Sequence, residues 1–315
     1  VALPLVLGSG ALLLRSGAKG SGAQVVASGG QQRSARMDNA KFLAMVLVLW
    51  DHLCATSVGH HDGPSSAVLK AVQFHMPLFC MISGGLATKP LTWERLRRLC
   101  ASLVGPILFT DKMSWYAKCI LVWRLAFEPL GSLPLLAQAA VVLVVGICGC
   151  HATDITSLEY EPAVRCATMV PYYFLGRQLD WAGLSASVPQ RQTRRGLTLA
   201  WAAFLGFVGL YICFEPAVDR VVLAVNSDWV AVPPWTGLRS LLTPDCAEDE
   251  LLLWARYACG LALRASMGLA FFLLCVPARA THFTEYGAYT AYPYVLQLYF
   301  VLPVHVPLWR LAEHR

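Results

Sequence analysis

Long apolar runs separated by short polar segments recur along most of the chain. A membrane-spanning helix needs about 20 predominantly apolar residues. The runs that approach this length cover 39–59, 67–88, 99–112, 114–127, 132–150, 164–180, 196–214, 251–277 and 285–308. The pattern therefore predicts an all-α fold, a polytopic transmembrane helical bundle of about nine to ten spans.

Basic and acidic loops alternate between these runs, which predicts the orientation of the bundle. If 99–127 counts as two passes, the basic loops at 89–98 and 191–195 share the cytoplasmic side with Arg33 and Arg36. The acidic segments 154–161 and 216–250 then lie outside. A single broken helix over 99–127 would place 191–195 outside, so two passes are preferred.

Composition agrees with an integral, multi-pass membrane protein. Hydrophobic residues make up 57% of the chain and charged residues only 14%, whereas soluble domains carry about 25% charged residues. The net charge is +6, and the basic residues form short loop clusters, so no nucleic-acid partner is predicted. The cysteines show no zinc-ligand spacing, and no metal site is predicted.

The first residues differ from the rest. Residues 1–14 are apolar but short for a span, and three interpretations stay open: a signal remnant, a cut span or a leader. Residues 16–36 are rich in Gly, Ser, Ala and Gln, as flexible linkers are. We therefore predict two regions, an apolar remnant with its linker at 1–36 and an integral-membrane domain at 37–315.

Lys41 and His52 lie eleven residues apart in one apolar run. Eleven helical steps turn about 1100° and rise roughly 16 Å, so both residues share one helix face. An ionisable group inside a span is a functional hypothesis, and His52 is a candidate general base. The alternatives are a histidine satisfied within the bundle and a lysine whose charge reaches the membrane surface.

His75 opens another apolar run and precedes Pro77, which predicts a bent helix. Ser83-Gly84-Gly85 permits close approach of a second helix, and 285–290 is predicted to be a polar helix start with a small-residue packing point at Gly287. His75 is either a functional group or an interfacial histidine. Arg95, Arg97 and Arg98 follow in a basic loop, either as membrane anchors or as ligands for the phosphates of an anionic donor.

Two ordered motifs resemble those of a known family. The first motif is an Arg, then Asp-Asn-x-Lys, then an apolar run that ends in His, and it is matched by Arg36, Asp38, Asn39, Lys41 and His52. The second motif is Phe-His-Met-Pro-Leu-Phe-Phe-x-x-Ser-Gly, and residues 74–84 match it except at Cys80. Weaker matches are the segments 95–106, 115–117, 171–176 and 287–290. Over about 36–305, the chain resembles the acyltransferase 3 family of integral-membrane acyltransferases, closest to its fucose 4-O-acetylase-like branch.

The resemblance implies O-acylation of a carbohydrate or glycoconjugate hydroxyl, with acetyl-CoA as the acyl donor, in a lipid bilayer. By the same resemblance, His52 and His75 are catalytic. The residues that would bind substrate are Arg36, Asp38, Asn39, Lys41, Ser83, Arg95 and Arg98. The 37–315 region is then an integral-membrane acyltransferase domain.

Two other functions remain open. A polytopic transporter or channel would use His52 and His75 as a proton relay. Internal repeats are not evident, which argues against transporter folds built from inverted halves. Gln297 stands where the family often ends an apolar run in His, so the chain could also be a catalytically inactive member.

Overall fold

A computed structural model describes residues 34–57, 74–109, 115–151, 161–187, 193–213 and 247–287. These residues are 84% helical and contain no strand, which confirms the all-α prediction for the described part. The helices are α1 Ala35–Ser57, α2 His75–Leu86, α3 Trp93–Phe109, α4 Trp115–Leu130, α5 Leu135–His151, α6 Glu161–Gln178, α7 Trp181–Ser187, α8 Arg194–Cys213, α9 Ala247–Leu274 and α10 Thr284–Gly287.

The helices follow the predicted apolar runs, with shifted ends. The run 99–127 contains parts of two helices, α3 and α4, on either side of 110–114, which lies outside the described residues. α1 begins at Ala35, so Arg36 belongs to the first helix although the domain boundary was predicted after it. Within the described ranges, no helix has both the length and the apolar content that crossing a membrane requires.

Pro77 lies in the first turn of α2, two residues after the helix begins at His75. The first amides of a helix have no intrahelical acceptor, so a proline there removes no helical hydrogen bond. The reason for which a bend was predicted, a hydrogen bond lost at Pro77, therefore does not apply within the described part of α2.

Among the described helices, α2 and α6 pack closely against each other. A Cβ atom added at Gly84 would overlap the carbonyl of Tyr173, and one at Gly176 would overlap the carbonyl of Met81. Each helix thus presents a glycine to the backbone of the other, so the helices approach more closely than side chains would allow. This confirms the close approach predicted for Ser83-Gly84-Gly85.

The end of α9 packs against α2 and α8. The ring of Phe271 lies 5.2 Å from that of Phe74 and 5.6 Å from that of Trp201, measured between centroids. The Trp201 indole also donates a 3.0 Å hydrogen bond to the carbonyl of Cys275. An indole N–H away from solvent gains from a partner, and this bond ties α8 to the residue that follows the end of α9.

Candidate functional site

Asn39 ties the start of α1 to the segment that follows α9. Its amide nitrogen donates to the carbonyls of Pro277 (2.9 Å) and Arg279 (2.8 Å). Its amide oxygen accepts from the hydroxyls of Thr281 (3.1 Å) and Thr284 (2.6 Å). An asparagine side chain has two N–H donors and one oxygen with two lone pairs. Asn39, which is fully buried, is therefore saturated by contacts within the protein.

Arg36 lies in the same region but keeps unused donors. One terminal nitrogen donates a 2.6 Å hydrogen bond to the carbonyl of Leu273, and the guanidinium carbon lies 4.9 Å from the Phe272 ring centroid. The side chain is 1% exposed. Its Nε and Nη1 atoms are buried without a hydrogen-bond partner in the described part of the chain. Arg36 could therefore still donate to an anionic or polar group.

Asp38 and Lys41 form an ion pair of 2.7 Å on one face of α1. The Asp38 side chain is 6% exposed and that of Lys41 15%. A Cβ atom at Gly287 would overlap the carbonyl of Asp38. Gly287 is thus the small-residue packing point that the sequence predicts near 285–290, and its partner is the start of α1.

The two predicted catalytic histidines lie on helices that pack against each other. Lys41 and His52 both belong to α1, so their spacing of eleven residues is helical, as predicted, and corresponds to about 16 Å. The side chain of His52 lies outside the described part. His75 is 4% exposed at the start of α2, so its side chain is buried within the protein.

Ser83 faces α4 through its hydroxyl. The Ser83 and Tyr116 oxygens are 2.6 Å apart, and the Tyr116 hydroxyl also donates to the carbonyl of Phe79 (3.2 Å). The weakly matching segment at 115–117 is therefore connected to the second motif. Ser83 contributes a helix-to-helix contact in addition to its predicted role in substrate binding.

Arg95 and Arg98 lie at the exposed start of α3. Arg95 donates to the carbonyl of Pro90 (2.7 Å), and Arg98 donates through Nε to Glu94 (3.0 Å). Arg97 pairs with the same carboxylate at 3.2 Å. These side chains are exposed, and the partners found for them among the described residues are local, so guanidinium donors remain available for a ligand.

Sequence reasoning missed Arg124 and Arg177, which cap the end of α2. Arg124 donates to the carbonyls of Ala87 and Lys89, and Arg177 donates to the carbonyl of Ala87 at 2.7 Å. The terminal carbonyls of a helix carry partial negative charge that cations stabilise. Both arginines lie inside predicted spans, and ionisable residues at such positions are the signal that would have revealed them.

The described residues contain no group of three or more His, Cys, Asp or Glu side chains that could hold a metal ion. The structure instead brings the motif segments together: 36–41 meets Gly287, and 74–84 meets both Tyr116 and 171–176. No protein-family model, curated protein or solved structure matches this chain.

Proposed function

We propose that this chain is a membrane-embedded O-acyltransferase that transfers acetyl from acetyl-CoA to a carbohydrate hydroxyl. The observation that carries the proposal is the convergence of the motif segments. Segments separated by up to about 250 residues pack on α1 and α2, the two helices that bear His52 and His75. Ordered matches that also meet in space support one shared site better than matches in sequence alone.

The start of α1 is the first place where these segments meet. Arg36 and Asn39 bind the backbone between 273 and 279, and the Asp38 backbone receives Gly287. These contacts orient α1 and hold the Asp38–Lys41 pair at its buried end. A functional group needs supporting contacts of this kind to keep its geometry.

The second place is α2, which packs against α4 and α6. The glycine crossing with α6 and the Ser83–Tyr116 hydrogen bond hold α2 from two sides. His75 begins this helix, and its neighbours Phe74 and Leu78 are fully or almost fully buried. A histidine in so dry a position suits proton transfer shielded from water.

The proposed reaction needs one base and one anion-binding surface. His52 accepts the proton of the acceptor hydroxyl, whose oxygen attacks the thioester carbonyl of acetyl-CoA. An ester forms, the carbon–sulfur bond breaks, and the CoA thiolate takes up a proton as it leaves. Lys41 and Arg36 position the donor, while Arg95 and Arg98 bind its phosphates, as guanidinium groups do well.

Exposed apolar faces support a position within a bilayer. On α8, Leu199, Leu205 and Leu210 are each 61% exposed, and on α5 Leu136 is 85% exposed. Large contiguous apolar surface is rare on soluble monomers and indicates contact with a partner or a membrane. A bilayer would cover these faces, which also accounts for the apolar composition of the chain.

Acetyl transfer from radiolabelled acetyl-CoA to endogenous carbohydrate, in membranes carrying the full chain, tests the proposal. Because a positioned base contributes about 10²–10⁴-fold, His52→Ala should lower turnover at least 100-fold while the protein still inserts normally. His75→Ala should also impair transfer. His282→Ala is the matched control, since His282 is exposed in the loop after α9.

Three outcomes would count against the proposal or its assignments. Transfer absent from the unaltered chain would remove the acyltransferase function and favour the inactive family member. Near-normal transfer by His52→Ala would make His75 the leading base. An equal loss in His282→Ala would indicate a general effect of losing a histidine and not catalysis.

A further inference from the structure

An apolar groove of about 410 Å³ lies between α4, α5 and α6. Its α4 wall runs from Lys118 to Leu130, which is about 18 Å along the helix. The remaining walls come from α5 and α6 and consist of valines, alanines and Cys166, including Val141, Val145 and Ala163. Its volume falls in the range of about 300–1,000 Å³ that small-molecule sites occupy.

The groove is open along its side. Val122 at its rim is 52% exposed, and Ala126 and Ala163 are also exposed. Its deeper wall contains Cys119 and Trp123, which are 1% and 2% exposed. A long, narrow occupant can therefore enter sideways and lie along α4 without any helix moving.

Among the described residues that line the groove, positive charge lies at one end. The charged residue there is Lys118, which lies in the first turn of α4. Near that end, the Arg165 guanidinium lies 5.1 Å from the ring centroid of Trp115, one turn before Lys118. Towards Leu130 the lining is apolar. This gradient matches a molecule with one anionic end and one apolar chain.

We propose that this groove binds a free long-chain fatty acid. Its chain lies along α4 from Val122 towards Leu130, and its carboxylate lies beside Lys118. A lysine ammonium has three N–H donors, so it can donate to a carboxylate in addition to its contacts within the protein. Burial of the chain against apolar side chains provides most of the affinity. The Lys118 ammonium favours a fatty acid over an uncharged molecule with the same chain. Binding does not depend on the proposed acetyl transfer.

A second groove provides an internal control. It lies between α2, α8 and α9, has a volume of about 240 Å³, and is lined by apolar residues that include Phe74, Ala203 and Phe207. Charged residues are absent from its lining as the structure describes it. An acid-selective site should form at the first groove and not at the second, although both expose apolar walls.

The test uses the full chain in phosphatidylcholine nanodiscs and a palmitate analogue bearing a photoreactive diazirine. After illumination, peptide mass spectrometry should locate the label on the groove faces of α4 and α6. Unlabelled palmitate should displace it, and hexadecanol should be about tenfold weaker, since a charged hydrogen bond is lost. Lys118→Gln should weaken displacement by palmitate about tenfold and leave that by hexadecanol unchanged.

Ala126→Phe should remove the label because the new ring fills the groove from an exposed position. Ala203→Phe is the matched control in the second groove and should leave the label unchanged. Ala163→Phe replaces Ala126→Phe if that variant loses helical circular dichroism. Equal displacement by hexadecanol and palmitate, displacement by phosphatidylglycerol in the nanodisc, or label that survives both groove-filling variants would each overturn the proposal.

Discussion

Substrate-binding residues were predicted in two segments, 36–41 at the start of α1 and 95–98 at the start of α3. The two segments differ in how deeply their side chains are buried and in the partners that these side chains contact. Arg36 is 1% exposed, and Asn39 is fully buried. The Arg98 side chain is 75% exposed and pairs with the neighbouring Glu94. A motif match alone therefore does not separate a residue that builds the site from one that is free to meet a ligand.

The physical difference lies in solvation. A buried polar group that loses its partner costs about 1–3 kcal/mol, because no water replaces the lost hydrogen bond. An exposed ion pair contributes about 0–1 kcal/mol, because water competes for both charges. Substitutions at the start of α1 should therefore act first on stability, and those at the start of α3 should act on ligand binding.

The largest expected effect follows from Asn39→Ala. This change removes all four hydrogen bonds that the buried Asn39 side chain makes, with two part-buried carbonyls and two threonine hydroxyls, so the free energy of unfolding should fall by about 2–4 kcal/mol. Thermal unfolding followed by circular dichroism in nanodiscs measures the loss. Thr284→Ser keeps the hydroxyl that Asn39 accepts from, and should cost less than about 1 kcal/mol. An Asn39→Ala midpoint equal to that of the unaltered protein would contradict the structural role.

Arg36→Ala should have a smaller effect on stability, about 2 kcal/mol, since it removes one charged hydrogen bond and the stacking on Phe272. Arg36→Lys keeps the charge but loses the planar donors. If the spare nitrogens bind substrate, both variants should raise the KM for acetyl-CoA or for the acceptor. A KM unchanged in Arg36→Lys would restrict Arg36 to packing.

The smallest effect on stability belongs to the double variant Arg95→Gln/Arg98→Gln. Its unfolding free energy should change by less than about 0.5 kcal/mol. The KM for acetyl-CoA should nevertheless rise several-fold, because the donor phosphates lose guanidinium partners. Arg97→Gln is the control from the same exposed cluster and should leave KM unchanged. If the double variant also leaves KM unchanged, these arginines are anchors only.

The sequence predicted some of the packing and missed its partners. Gly84 and Gly287 were predicted as points of close approach, because small residues inside apolar runs allow it. The sequence did not indicate that the first meets Tyr173 and the second meets Asp38. Helical periodicity shows which face of a helix is apolar, but the same apolar face can pack on several neighbours.

The roles of the polar residues show the same limit. Asn39 matched a motif whose implied role is substrate binding, yet its hydrogen-bonding capacity is used by residues about 240 positions away. Arg124 and Arg177 matched no motif, and their roles were missed because their carbonyl partners at 87–89 lie 35 or more residues away in sequence. Long-range partners of this kind are not encoded in any local pattern.

Residue order by itself determined the all-α class, the approximate helix ends, and the shared helix of Lys41 and His52, since these follow from apolar run length and from the fixed geometry of the α-helix. Only the tertiary structure decided which polar groups are already saturated, which cations remain exposed, and where a groove opens between α4, α5 and α6. Those properties depend on which helices meet, and burial determines whether a side chain stabilises the protein or is left to bind a ligand.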